Sequence, residues 1–211
     1  MLVSRSWRQL GHLGPRGPET GEPVLVIPGF IANDRTTMEL RRALAEAGYR
    51  AFPWNGGFNR GARADTIERL RARIDAISPD KPLVVVGWSL GGLFARELAR
   101  AHPDRVRAVV TLGSPFSGDP KLNNVWRLYE FVAGHKVDDP PLPRITEKPP
   151  VPHLACWSRL DGIIAPIAAR GLAHESDRQV ELECSHMGFS VSGRTARRVV
   201  QEINNFLKSL T

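Results

Sequence analysis

Cysteine is almost absent from this chain: Cys156 and Cys184 are the only two in 211 residues. That excludes a disulfide-rich scaffold; both read as small buried hydrophobes, and a single disulfide between them is an open alternative that a cytoplasmic setting disfavours. No Cys/His cluster has metal-ligand spacing, so no metal is expected. No run of about 18 apolar residues occurs, which argues against a transmembrane helix. Residues 1–10 lack the apolar core of a secretory signal, and the expectation is a cytoplasmic protein. Internal repeats are missing too. So is any basic block interleaved with aromatics, and nucleic-acid binding is not expected despite a net charge of +7. The arginines are spread along helical stretches, as at Arg41, Arg42, Arg69, Arg71, Arg73, Arg197 and Arg198. They read as a solvated basic surface, with at most a loose attraction to anionic membranes or acidic partners.

What is present is an ordinary globular composition, 42% hydrophobic and 24% charged, on a length that fits one domain with a sizeable core. Residues 1–22 are rich in glycine and proline and read as an irregular leader, with a short helix near Trp7. Then strands and helices alternate. Apolar runs at 23–27, 83–88 and 106–112 predict buried strands, with a short one at 49–53. Helical spacing marks 36–47, closed by Gly48, then 65–77 and 93–100. This alternation predicts an α/β fold: one mostly parallel sheet with helices on both faces.

The rhythm breaks over 116–152, a proline-rich stretch with one helix expected at 123–133. Its apolar residues Trp126, Leu128, Tyr129, Phe131 and Val132 argue against disorder. It reads either as a lid beside a pocket or as a surface excursion packed on the core. Strands resume at 153–158 and 179–184. A helix is expected at 167–173, and a terminal one at 193–210.

The chemistry centres on Gly87-Trp88-Ser89-Leu90-Gly91, between a predicted strand and a predicted helix. The pattern alone also arises by chance. Its flanks give it the context of a nucleophile elbow, a sharp turn that presents serine at the top of a sheet. A serine hydroxyl needs a base, and an imidazole needs a carboxylate to hold it. Active sites of open parallel sheets gather at the carboxyl ends of strands. His186 and Asp161 satisfy that placement. His12, His102, His135, His153 and His174 do not, and Asp138, Asp139 and Glu183 are weaker rivals to Asp161. An oxyanion hole needs two N–H donors. Leu90, at a helix start, is one candidate. Phe30, after Pro28-Gly29, is the other.

Together Val24–Phe30, Gly87–Gly92, Ser158–Pro166 and Ser185-His186 resemble small bacterial serine esterases and lipases of the α/β-hydrolase superfamily. The resemblance spans about residues 24–210. It implies hydrolysis of a small-molecule or lipid ester through an acyl-serine, without a cofactor. Pro28 departs from the pattern, since many relatives carry histidine before the glycine, and 116–152 matches no known lid. Two alternatives stay open: acyl transfer by the same Ser89, Asp161 and His186, and a non-catalytic interaction protein on a hydrolase scaffold.

Overall fold

Period-two alternation in the strands builds two cores, one on each side of a single sheet. The structure is a computed structural model that describes residues 14, 16–118 and 145–210. Its strands are β1 (Pro23–Ile27), β2 (Arg50–Pro53), β3 (Leu83–Trp88), β4 (Val106–Leu112), β5 (His153–Trp157) and β6 (Arg178–Glu181). They lie in the order β2-β1-β3-β4-β5-β6, and every neighbouring pair is parallel. The fold is therefore α/β, as the alternation of elements predicts.

In β3, Val84, Val86 and Trp88 face one core, while Leu83 and Val85 face the other. The first core is closed by Leu40 and Leu44 of α1 (Met38–Glu46) and by Val199, Ile203 and Phe206 of α6 (Gly193–Lys208). The second is closed by Leu70 and Ile74 of α2 (Thr66–Ile77) and by Phe94 and Leu98 of α3 (Leu90–Ala101). Shorter helices α4 (Pro166–Arg170) and α5 (Gly188–Val191) complete the described elements, beside a 3-10 turn at Pro103–Arg105. α3 is buried along most of its length, because it lies against the central strands β3 and β4.

Several boundaries differ from the sequence expectation. The last strand ends at Glu181 rather than 184, so Glu183 and Cys184 belong to a loop. Glu181 sits on an exposed sheet edge, where the period-two signal weakens. α4 stops at Arg170, ahead of Gly171 with φ +73°. The stretch before β1 is not wholly irregular: Arg16 forms an antiparallel bridge to Ala51, shielding part of the β2 edge. The expected helices near Trp7 and at 123–133, and also His12, His135, Asp138 and Asp139, lie outside the described residues.

Both described ends of the 116–152 segment are packed. Phe116 is fully buried, with the Arg96 guanidinium 4.3 Å over its ring. Arg96 also donates to the carbonyls of Thr146 and Glu147, at 2.6 and 2.7 Å.

Candidate active site

Four loops leave the carboxyl ends of parallel strands and meet at one edge of the sheet. The loop after β3 is the tightest. Ser89 has φ +54° and ψ −122°, a left-handed backbone that a non-glycine residue adopts only under constraint, at about 1–3 kcal/mol. Its N–H donates to the Leu112 carbonyl at 2.8 Å, and its own carbonyl accepts from Gly92. The turn needs small neighbours. A Cβ at Gly87 would overlap the Gly91 backbone, and one at Gly91 would overlap the Ile27 carbonyl. Leu90 opens α3, so its amide is among those an α-helix cannot pair internally, at the positive end of the dipole.

The loop after β5 carries Asp161, which is 4% exposed. Oδ1 accepts from the amides of Ile163 and Ile164 at 3.0 and 2.6 Å. Oδ2 lies 2.8 Å from His186 Nδ1. The His186 amide donates to the Asp161 carbonyl at 2.9 Å, so the two residues are joined twice. With Nδ1–H donated to the carboxylate, Nε2 is left as the nitrogen able to accept a proton.

Three residues unremarked in the sequence hold this arrangement. Trp88 precedes the serine and reaches across to the histidine loop. Its Nε1–H donates to the His186 carbonyl at 3.1 Å, and the two rings are 5.4 Å apart. Ser158 laces the aspartate and histidine loops together: its hydroxyl donates to the Cys184 carbonyl at 2.7 Å and accepts from Leu160 at 3.0 Å.

Asn59, 1% exposed, governs the loop after β1. Its Nδ2 donates to the Pro28 carbonyl at 2.8 Å, its carbonyl accepts from Ile31 at 2.7 Å, and its amide donates to Ala32 at 2.8 Å. Ile31 has φ +54°, a genuine outlier for a β-branched residue, and Asn59 holds it there. Phe30 lies inside this clamp. Gly29 abuts the serine, since a Cβ on it would sit 3.0 Å from Ser89 Cβ. A short side chain and an unbranched backbone contact leave little signal in sequence, which is why Asn59 escapes a strand-end search.

The other described histidines stand elsewhere. His153 opens β5 and is buried beneath Arg96. His102 caps α3 beside Arg71, and His174 is exposed. Among the described residues no group of His, Cys, Asp and Glu is arranged to hold a metal, and no helix is long and apolar enough to cross a membrane.

Comparison with known proteins gives a consistent picture. A family model described as alpha/beta hydrolase fold matches residues 22–138. A pimeloyl-[acyl-carrier protein] methyl ester esterase of Salmonella heidelberg is 43% identical over 58 residues. That match covers 28% of this chain and only 22% of the relative. An esterase of Thermogutta terrifontis superposes with a TM-score of 0.66 at 17% identity, covering 92% of each chain. The carboxylesterase CesB of Bacillus subtilis gives 0.62 at 15% identity, covering 92% of this chain and 86% of its own.

Proposed function

The chain belongs to the alpha/beta hydrolase fold family, and on that footing we propose that it is a serine hydrolase of carboxylic esters. Ser89 attacks the ester carbonyl while His186 Nε2 takes its proton. Asp161 keeps His186 in the tautomer with Nδ1 protonated and offsets the imidazolium charge that develops. The amides of Leu90 and Phe30 receive the negative charge on the carbonyl oxygen. His186 then protonates the leaving alcohol, and water repeats the sequence to release the acid.

One observation carries this reading: a strained serine at the β3–α3 turn shares a sheet edge with a histidine hydrogen-bonded to a buried aspartate at 2.8 Å. Strain and a buried polar pair both cost stability, and their meeting at the one strand-end edge where this chemistry needs them supports a catalytic use. The esterase named among the relatives supports an ester as the bond cleaved.

The test is direct. Purified protein hydrolyses short-chain nitrophenyl esters, and a fluorophosphonate labels Ser89. Ser89→Ala lowers kcat by about 10³-fold or more, with the thermal unfolding midpoint retained. Full turnover in Ser89→Ala removes the assignment.

A further inference from the structure

Trp54 to Arg73, from the end of β2 into α2, line a cavity of about 390 Å³. That volume suits a small organic ligand. Its wall is unusual in charge. Arg60, Arg63, Arg69 and Arg73 line it, against one carboxylate, Asp65. Asp65 is shared at long range, 3.5 Å from Arg63 Nε and 3.9 Å from Arg69 Nη1. No carboxylate pairs with Arg60 among the described residues. Four arginines therefore line one concave surface with a single carboxylate in the lining, and Asp34 outside it acts on Arg73.

The cavity is also preorganised. Arg73 Nε and Nη2 both donate to the Pro53 carbonyl, at 3.1 and 2.8 Å, which fixes its guanidinium. The Trp54 ring is held by its Nε1–H bond to the Gly57 carbonyl at 3.0 Å. Phe58 is 56% exposed at the rim, a large apolar side chain that the core does not explain. Aromatic faces beside guanidinium forks suit a ligand with a flat or apolar body and an anionic head.

The position of the cavity gives it a use. Asn59, between the lining residues Phe58 and Arg60, is the residue that clamps the Pro28–Ile31 loop beside Ser89. The loop part of the lining thus follows the carboxyl end of β2, the same sheet edge as the candidate active site, although no candidate catalytic residue lines the cavity. We propose that it is a recognition subsite for an organic anion, a phosphate or carboxylate joined to an apolar body. In the ester-hydrolase reading, on which this part rests, it selects acidic ester substrates.

Binding is measured first, in Ser89→Ala protein, so that it does not depend on turnover. Phenyl phosphate and benzoate are titrated calorimetrically, with benzyl alcohol as the neutral control. At least one anion binds saturably, the alcohol does not, and the stronger anion identifies phosphate or carboxylate as the preferred head. The double variant Arg60→Glu/Arg69→Glu weakens that binding about tenfold or more. Arg194→Glu, an exposed arginine on α6, leaves it unchanged. No saturable binding of either anion, or equal weakening by Arg194→Glu, overturns the site. Turnover is read second, in the active protein. The nitrophenyl monoester of a dicarboxylic acid is compared with the neutral ester of the matching fatty acid. The double variant raises KM about tenfold for the acidic ester alone, with kcat held. Unchanged KM for the acidic ester overturns the substrate role. Anion binding without turnover of any ester keeps the site and rejects the hydrolase reading.

Discussion

Asn59 shows how much one side chain can decide. Its amide group and backbone together fix Pro28, Ile31 and Ala32, and its Oδ1 accepts from Gly61 at 3.2 Å. Without the Nδ2 bond the Pro28 carbonyl would be released and the amide of Phe30, the candidate oxyanion donor, would shift with it, while the backbone bonds to Ile31 and Ala32 persist. A displacement of about 1 Å in a catalytic donor can cost roughly 10²-fold in rate. Asn59→Ala is expected to lower kcat by about 10- to 100-fold while KM for a neutral ester holds. Asn59→Asp keeps the acceptor for Gly61 but sets an oxygen against the Pro28 carbonyl, so it adds repulsion to the loss of that bond. Wild-type kcat in both variants would show that the clamp does not orient the donor.

The two cysteines make the opposite point at the same scale. Burial pushes the Cys184 thiol up to about 11 and Cys156 higher still. Both stay protonated near neutral pH, so neither supplies a thiolate nucleophile. They are free and buried, as small hydrophobes are.

Among the elements, α3 carries the most. Its first turn borders Ser89, and its second and third turns anchor the chain returning toward β5. Arg96 is 1% exposed. It donates to Glu175 at 3.0 Å, to Thr146 and Glu147, and to His153 Nδ1 at 2.9 Å. Desolvation lowers its pKa to about 10, yet it remains charged near neutral pH. Replacing it leaves several buried carbonyls without a donor, while the desolvation cost of the charge is recovered. Arg96→Met is therefore expected to destabilise the protein by about 2–4 kcal/mol. Urea unfolding measures this directly, and an unchanged midpoint would show that the 145–147 segment is held by other contacts.

For the whole molecule, the same buried cluster sets a dependence on pH. His153 Nδ1 lies 2.9 Å from Arg96, which can only donate, and 3.1 Å from the Glu175 carbonyl, which can only accept, while Nε2 lies 3.0 Å from Thr111 Oγ1. Burial and the Arg96 charge hold the imidazole pKa down to about 3. Its unfolded value is about 6.5, so the fold favours the neutral ring. The stabilisation is complete above about pH 6.5 and is lost as pH falls toward 3, by up to about 1.4 kcal/mol per unit. Asp34, raised by burial, works in the other direction in the carboxylate range. The thermal midpoint should fall on acidification from pH 6.5, and His153→Gln should flatten that fall. An equally steep profile in the variant would assign the loss to the acidic groups instead.

The sequence by itself determined the α/β alternation, the strand–turn–helix around Ser89, and the order of the loops that follow the strands. These are local properties. Apolar runs, helical spacing and glycine or proline punctuation act over a few residues, so they are written in consecutive positions. The end of the last strand was less legible, because an exposed edge relaxes the demand for burial that makes alternation visible. Only the tertiary structure decided what brings distant residues together. Trp88 meets His186, Asn59 meets Pro28, and Arg96 meets the 145–147 carbonyls through a few hydrogen bonds between segments far apart in the chain. Such bonds depend on direction and distance, not on pattern. The cavity arginines differ, because Arg60, Arg63, Arg69 and Arg73 are already neighbours in sequence, and folding only curves that stretch around one cavity.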